Sequence, residues 1–219
     1  MGTSEQRGSM SENLGGTAVR EESFQSAVDR VAMGGPIRLD LGAGHKQEDG
    51  WVRVDFAVDR RKCTTKGGVT RTGAPILPDV EADLRDLPFP DNYADMARAI
   101  HVIEHFQVWD APKVMKEWVR VLKPGAELVI ECPCLEKIVK LFDVPNIPPY
   151  MTYWGLYGDP RLEDPLMMHH WCYTEAQLSR LMASCGLVEV HGQPPMFHQP
   201  ARDMRIVGYK PEAKSLVIQ

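Results

Sequence analysis

Residues 101–105 read HVIEH and place two histidines and a glutamate within five positions. In some zinc proteases the H-x-x-E-H pattern supplies two imidazole ligands to the metal and a carboxylate that acts as general base. That chemistry requires His101 and His105 to lie on one face of a single helix, so that both point at the same ion. The preceding residues, ADMARAIHV, instead alternate like a half-buried strand. We therefore predict that the two histidines lie on either side of a strand end, and a zinc hydrolase is the less favoured alternative.

The elements around these residues indicate an α/β domain. A chain of 219 residues is long enough for one such domain with a sizeable core. Between residues 36 and 133, short apolar runs alternate with loops and one clear helical pattern, which is typical of a doubly wound, mostly parallel sheet. We predict that residues 23–219 form this domain, with an entry helix over 23–33. Residues 1–22 are polar and rich in Gly and Ser, so we expect a flexible tail there.

Composition disfavours several classes of partner. The formal net charge is −5, and the longest basic run is Arg60-Arg61-Lys62, so we expect no nucleic-acid partner. No apolar stretch is long enough to span a membrane. Five cysteines without regular spacing, and no N-terminal signal region, favour reduced thiols and a cytoplasmic location. The sequence does not determine the oligomeric state.

Two glycines follow directly after the first predicted strand, residues 37–41, in the sequence LGAG. Glycine lets the backbone turn sharply and approach a ligand at the carboxyl end of a strand, where open α/β sheets bind their ligands. The second predicted strand ends at Asp55, whose carboxylate can accept hydrogen bonds from both hydroxyls of a ribose. These features indicate a nucleoside cofactor. A dinucleotide enzyme is disfavoured because Gln47 stands where G-x-G-x-x-G requires its third glycine.

Residues 81–104, EADLRDLPFPDNYADMARAIHVIE, resemble the type-11 group of class I S-adenosylmethionine-dependent methyltransferases. The shared pattern is D-L-x-x-L-P-F-x-D-x-x-x-D before the fourth strand, followed by a segment that contains E-H. The similarity continues through residues 117–133, and more loosely through 174–187 and 202–211. It implies a Rossmann-like, doubly wound, mostly parallel seven-stranded sheet. It also implies a methyltransferase that uses S-adenosylmethionine and releases S-adenosylhomocysteine.

The resemblance further implies roles for individual residues. The backbone of the glycine loop after strand one would lie beside the methionine part of the cofactor. The acid at the end of strand two would bind the ribose, and an Asp-Leu pair would hold the adenine amino group. The end of strand four would lie near the sulfonium. The implied cofactor-binding residues are Asp40, Gly42, Ala43, Gly44, Asp55, Asp83, Leu84, Ile100 and His101. An ordinary turn residue is the alternative for Asp83, whereas the carboxylate of Asp40 inside an apolar strand requires a partner.

Two departures from the family pattern have consequences. Residues 45–50 are too few for the usual first helix of a parallel crossover. The cofactor's carboxylate is therefore expected to be held in a different way, and a non-catalytic S-adenosylmethionine-binding protein is an open alternative. The sequence AIHV also stands where amino-methylating DNA enzymes carry N/D-P-P-Y, which disfavours that activity.

Residues 134–172 form an unusually long connection between the fifth strand and the last helix, and we predict that they are a lid over the substrate. The second half of this segment is rich in Tyr, Trp and Met. Such side chains would form a dry wall around a reacting sulfonium, although a subdomain with its own small core is an equal alternative.

Methyl transfer needs a base only when the acceptor must lose its proton early. We predict His101 as the first candidate base and His169 as the second. A metal site is a further possibility to consider, because His and Cys residues occur close together at His169, His170 and Cys172 and at Cys132 and Cys134. Their spacing matches no standard zinc motif, so we predict no bound metal. The predicted reaction is methyl transfer to a small molecule whose identity the sequence does not give.

Overall fold

The computed structural model describes residues 35–44, 48–55, 78–162 and 165–212. The predicted tail of residues 1–22 and the predicted helix of residues 23–33 lie outside these ranges, as does Gln47.

The described residues form seven strands in one sheet. The strands are β1 (Arg38–Leu41), β2 (Val52–Asp55), β3 (Val80–Glu81), β4 (Ala94–Ile100), β5 (Leu122–Pro133), β6 (Val188–Gln193) and β7 (Asp203–Tyr209). Their order across the sheet is β3-β2-β1-β4-β5-β7-β6. The first five strands are parallel, and β7 is antiparallel to both β5 and β6. The predicted doubly wound, mostly parallel sheet is confirmed.

The central strands are apolar because helices and loops cover both faces of a parallel sheet. Leu39 and Leu41 of β1 and Ala97 and Ala99 of β4 are fully buried. Strand order reverses between β1 and β4, since the chain proceeds from β1 to β2 on one side and returns to β4 on the other. Such a reversal leaves a crevice at the carboxyl ends of the two strands, which is where ligands bind in this architecture.

Helix α1 (Ala111–Val121) connects β4 to β5 and presents an apolar stripe to the core. Its Trp118 is fully buried and donates a hydrogen bond from Nε1 to the carbonyl oxygen of Leu84 at 3.0 Å. The same helix supplies Glu117, whose Oε1 accepts a hydrogen bond from the backbone N–H of Leu87 at 2.7 Å. Helix α1 therefore fixes the loop that carries the D-L-x-x-L-P-F pattern.

The insertion segment, residues 134–172, contains helices α2 (Leu135–Leu141) and α3 (Tyr153–Tyr157) and three short 3-10 turns. Ile138 of α2 is fully buried, and it lies against Gly155 of α3, where an added Cβ would stand 2.7 Å from Ile138 Cδ1. At its end, the backbone N–H groups of His170 and Trp171 donate to the carbonyl oxygen of Glu104 at 2.7 and 3.3 Å. The segment is thus attached to the turn that follows β4.

Helix α4 (Glu175–Ser184) follows the insertion segment and begins with a capping box between Thr174 and Gln177. It packs against β6 and β7. None of the helices in the described ranges combines the length and apolar character that crossing a bilayer requires.

Candidate active site at the carboxyl ends of β1 and β4

A cavity of about 430 Å³ opens where strand order reverses. This volume lies within the range of small-molecule sites. Three parts of the chain line it: the ends of β1 and β4 with their loops, the insertion segment, and the loop before β7. The lining residues are Asp40, Gly42, Ala43, Gly44, Arg98, Ile100, His101, His105, Trp154, Asp159, Met167, His169, Phe197, His198 and Arg202.

The glycine loop after β1 is held from two sides. Gly42 has a φ of +71°, and a Cβ at this position would lie 2.5 Å from Cγ2 of Val102. Glycine is therefore required here by the turn and by packing against Val102. Gly44 has a φ of +55° with open space around its Cα, and its backbone N–H donates to Oδ2 of Asp55 at 2.8 Å.

Asp40 has the partner that its burial requires. Oδ2 of Asp40 lies 2.6 Å from Nη2 of Arg98, and both side chains are nearly inaccessible. The two residues are register partners on β1 and β4, so their side chains point to the same face of the sheet. The pair places one negative and one positive group in the wall of the cavity.

Arg98 is also enclosed by groups beyond Asp40. Nη1 donates to Oε2 of Glu48 at 2.6 Å, and the guanidinium carbon lies 4.0 Å from the ring centroid of Trp51 and 4.9 Å from that of Phe197. Burial alone would lower the pKa of Arg98, but hydrogen bonds to the carboxylates of Asp40 and Glu48 raise it above its ordinary value. The guanidinium is therefore a permanent positive charge beside the cavity.

His101 terminates β4 in a strained conformation, with a φ of +56°. Its Nε2 lies 3.1 Å from Oδ2 of Asp203, and its Nδ1 lies 3.2 Å from Oε1 of Glu104. Burial lowers the pKa of His101, but the contacts with Asp203 and Glu104 outweigh burial and raise this pKa to about 9. At neutral pH the ring is an imidazolium whose two N–H groups face carboxylates, so it has no lone pair with which to accept a proton.

The two carboxylates beside His101 are buried and charged. Burial favours their neutral forms, yet the contact with the imidazolium lowers the pKa of Glu104 to about 2. For Asp203, hydrogen bonds from His101 and from Arg202 likewise outweigh burial and lower the pKa well below its ordinary value. The three groups form a charged chain that joins the end of β4 to the start of β7.

His169, the second predicted base, comes from the insertion segment and lines the cavity. Its Nδ1 lies 3.0 Å from the carbonyl oxygen of Gly155, an acceptor, so Nδ1 carries the proton. Burial lowers the pKa of His169 below its ordinary value. The ring is therefore neutral at pH 7, with its lone pair on Nε2.

Most of the predicted cofactor residues meet at this cavity, but three do not line it. Asp55 lies behind Gly44, whose backbone N–H donates a hydrogen bond to its carboxylate. Asp83 forms a salt bridge with Arg85, with Oδ2 and Nη2 2.7 Å apart, and the Leu84 carbonyl is occupied by Trp118. The alternative that Asp83 serves as a turn residue thus has support in the structure.

The sequence interpretation missed the cavity wall formed by Arg98 and the loop before β7. That loop contributes Phe197, His198 and Arg202, and the rings of His198 and His101 lie 4.1 Å apart between centroids. The available signal for Arg98 was an arginine within an otherwise apolar strand, which requires a partner as much as Asp40 does. The loop before β7 carried no comparable signal, because only the folded chain brings it to β4.

The expected aromatic wall of the insertion segment is present only in part. Trp154 lines the cavity, whereas Tyr153 and Tyr157 are more than half exposed. The buried contact between Ile138 and Gly155 supports the alternative of a small separate core.

The residues that line the cavity are compatible with the methionine end of S-adenosylmethionine. That end carries an ammonium and a carboxylate, and the wall contains the oppositely charged Asp40 and Arg98. The guanidinium of Arg98 supplies the positive charge in this wall, and its Nε is buried without a hydrogen-bond partner among the described residues. The open space at Gly44 also allows the backbone to be approached.

Residues 39–130 match the family model described as a methyltransferase domain. The chain is 30% identical over 142 residues to the 2-phytyl-1,4-naphtoquinone methyltransferase of Nostoc punctiforme, a match that covers 62% of this chain and 60% of that protein. It is 28% identical over 134 residues to a probable S-adenosylmethionine-dependent methyltransferase of Mycobacterium tuberculosis, covering 52% of this chain and 48% of the relative. The chain thus spans about half to three fifths of the length of these two relatives.

Among solved structures, an S-adenosylmethionine-dependent methyltransferase of Methanosarcina mazei superposes with a TM-score of 0.53 at 17% identity, over 85% of this chain and 97% of that chain. At this identity the likeness shows the fold. The superposition confirms the predicted fold class, and the sequence matches agree with the predicted similarity to S-adenosylmethionine-dependent methyltransferases.

Proposed function

We propose that this protein transfers a methyl group from S-adenosylmethionine to a small-molecule acceptor, a proposal supported by the match of residues 39–130 to the methyltransferase-domain model. The observation that carries the proposal is the cavity at the carboxyl ends of β1 and β4, with the Asp40–Arg98 pair in its wall. The cofactor supplies a methyl group on a positively charged sulfur, which an acceptor's lone pair displaces in line.

The methionine end of the cofactor is assigned to Asp40 and Arg98. The positive charge of Arg98 attracts the cofactor's carboxylate, and the carboxylate of Asp40 attracts the ammonium group. This assignment supplies the charge contacts that the short loop after β1 lacks, since residues 45–50 leave no room for the usual first helix. Gly42, Ala43 and Gly44 provide the backbone along which the cofactor lies.

The adenosine end is assigned to the second and third strands. Asp55 accepts the backbone N–H of Gly44 and is proposed to bind the ribose hydroxyls with its carboxylate. Asp83 and Leu84 are proposed to face the adenine, with Trp118 holding the Leu84 backbone in place. Ile100 lies at the end of β4 in the cavity wall and would contact the sulfonium region.

The acceptor is assigned to the side of the cavity formed by the insertion segment. The residues of the insertion segment on this side combine apolar surface with one carboxylate and one imidazole: Trp154, Asp159, Met167 and His169. A small, partly apolar molecule suits such a wall better than a polyanion, and the quinone named for the Nostoc relative is a molecule of that kind.

His101 and His169 receive different roles. His101 is held between Glu104 and Asp203, so we assign it to positioning: it fixes the end of β4 and presents positive charge to the cavity. His169 is neutral and lines the cavity, so we assign it to the acceptor side of the site.

Calorimetric titration with S-adenosylmethionine and S-adenosylhomocysteine tests the cofactor site. We expect micromolar or tighter binding of both. An assay for S-adenosylhomocysteine production with hydroquinones, catechols and small amines then tests turnover. Binding with no product from any acceptor would favour the alternative of a non-catalytic cofactor-binding protein, and failure to bind either compound would contradict the proposal.

A further inference from the structure

We propose that Glu104, His105 and His169 bind one divalent transition-metal ion at the edge of the cavity. Each residue offers one ligand atom, and these atoms all lie within 4.8 Å of one another. Glu104 and His105 belong to the 3-10 turn after β4, whereas His169 comes from the insertion segment. The ligand set is therefore assembled from two distant parts of the chain and is not the His101–His105 pair that the H-x-x-E-H pattern suggests.

Both imidazoles are held in the tautomer that a metal requires. Nδ1 of His105 lies 3.1 Å from the carbonyl oxygen of Met168, and Nδ1 of His169 lies 3.0 Å from that of Gly155. A carbonyl oxygen only accepts, so each Nδ1 carries the proton and each Nε2 keeps its lone pair. Donation of the second ring N–H to a carbonyl is the usual outer contact of a metal-binding histidine.

The surroundings of the Glu104 carboxylate also indicate a cation, independently of the histidine geometry. Its side chain is 1% exposed, and neither carboxylate oxygen has a hydrogen-bond partner of good geometry among the described residues. Its charge contact is His101, 3.2 Å from Oε1. A buried carboxylate normally accepts several hydrogen bonds, because losing water without replacement is costly. A cation next to the second oxygen would supply the missing interaction.

The chemistry of the ligands selects the class of ion. Two imidazoles with one carboxylate suit Zn²⁺, Fe²⁺, Mn²⁺ or Co²⁺, whereas Mg²⁺ and Ca²⁺ prefer oxygen ligands alone. Metal–ligand bonds of about 2.1 Å need ligand atoms about 3 to 4 Å apart. The three ligand atoms, which all lie within 4.8 Å of one another, are near this spacing, so binding requires at most a small adjustment of the side chains.

Three protein ligands leave coordination positions open. His105 and His169 both line the cavity, so an open position faces the space assigned to the acceptor. A hydroxyl group bound there would lose its proton to water more readily, because a metal ion lowers the pKa of a bound oxygen. This use of the ion rests on the proposed methyl transfer, whereas binding of the ion does not.

The test uses untagged full-length protein that has been treated with a chelator and dialysed. It is titrated with Co²⁺ and followed by visible absorption, and with Zn²⁺ and Mn²⁺ by calorimetry. We expect one equivalent of at least one of these ions to bind, with ligand-field bands in the Co²⁺ form. Absence of a saturable equivalent for all three ions would overturn the proposal.

Three variants localise the site. Glu104→Gln and His169→Gln should each weaken binding by more than the about 10- to 100-fold typical for loss of an outer contact. His170→Gln is the matched control, because His170 is adjacent in sequence but contacts Gln107 instead. Wild-type affinity in both ligand variants, or loss only in His170→Gln, would overturn the assignment. Circular dichroism of the metal-free variants verifies folding, and the more accessible His169 provides the safer variant if Glu104→Gln does not fold.

A separate titration of the metal-free protein with S-adenosylmethionine distinguishes this inference from the proposed function. Cofactor binding without metal binding would remove the metal site and leave the methyltransferase assignment intact. Metal binding without cofactor binding would support the site and remove the assignment.

Discussion

Oδ2 of Asp40 lies 2.6 Å from Nη2 of Arg98, between paired positions on β1 and β4. The two side chains are only 6% and 4% exposed. A buried ion pair contributes little net stability, because desolvation offsets attraction, yet removal of one member leaves an uncompensated charge. Because the pair lies at the reversal of strand order, we propose that it serves ligand binding.

Asp40→Asn tests the structural side of the pair. Arg98 would lose its buried counter-charge but keep Glu48, so we expect a loss of about 3 kcal/mol, the lower end for a broken buried pair. Urea denaturation measures this change. Asp95→Asn is the control, because its partner Lys123 is 42% exposed and such pairs contribute about 1 kcal/mol or less. Equal losses of stability in the two variants would contradict the conclusion that Arg98 depends on Asp40 as its buried counter-charge.

Arg98→Met tests the binding side. Methionine keeps much of the apolar volume but removes the positive charge assigned to the cofactor's carboxylate, so S-adenosylmethionine affinity should fall by about 10- to 100-fold. The double variant Asp40→Leu with Arg98→Met should recover stability without recovering affinity, since no charge remains unpaired. Calorimetry and urea denaturation on the same preparations separate the two effects. Full affinity in Arg98→Met would remove Arg98 from the cofactor site.

Gly42→Ala and Gly44→Ala should differ in stability. At Gly42 the new Cβ meets Val102 at 2.5 Å in addition to backbone strain, so we expect a loss of about 2 to 4 kcal/mol. At Gly44 only strain applies, at about 1 to 2 kcal/mol. Thermal or urea unfolding compares them. Adding Val102→Ala should relieve part of the Gly42→Ala defect, and no relief would mean that packing against Val102 is not the cause.

Asp55→Ala should weaken cofactor binding by about 1 to 3 kcal/mol, the range for hydrogen bonds to a charged group. The loss has two sources: the proposed contact with the ribose, and the hydrogen bond that holds the Gly44 backbone. Glu81→Ala is a matched control, because Glu81 is an exposed acid in register with Asp55 on the neighbouring strand. Unchanged affinity in Asp55→Ala, measured by calorimetry, would exclude Asp55 from the site.

Glu117 should contribute to stability in a pH-dependent way. Hydrogen bonds from Arg120, against opposing burial, lower the pKa of Glu117 below its ordinary value of 4.5. A carboxyl whose pKa is lowered by folding stabilises the protein above its unfolded pKa, and this contribution disappears as pH falls through the folded value.

Urea denaturation at pH 7, 5, 4 and 3 measures the effect of Glu117. We expect Glu117→Gln to be less stable than wild type at pH 7 and the difference to shrink as the pH is lowered below about 4.5. A difference that is constant over this range would show that the charge of Glu117 does not contribute.

Much of the fold could be predicted from the sequence because its signals are local. The apolar run before LGAG, the strand that ends in Asp55 and the D-L-x-x-L-P-F pattern each depend on a few adjacent residues. The doubly wound, mostly parallel seven-stranded sheet then followed from the resemblance to a known family. The burial of Asp40 also required a cationic partner, although the sequence did not say which.

Four arrangements were decided only by tertiary structure. Arg98 meets Asp40 because β1 and β4 are adjacent although 58 positions separate the two residues. His101 cannot act as a base because its Nε2 contacts the carboxylate of Asp203, a residue 102 positions away. Val102, 60 positions further along the chain, lies where a Cβ on residue 42 would stand. The pattern HVIEH gains a third polar partner only when the insertion segment brings His169 to Glu104 and His105.

The sequence by itself therefore determined the elements and the position of the crevice, because strand patterns and the turn after β1 are set by neighbouring residues. The tertiary structure decided which charges meet in that crevice and which nitrogens keep a lone pair. Electrostatic and hydrogen-bond partners act over a few ångströms in space, and contacts between distant parts of the chain have no local signature.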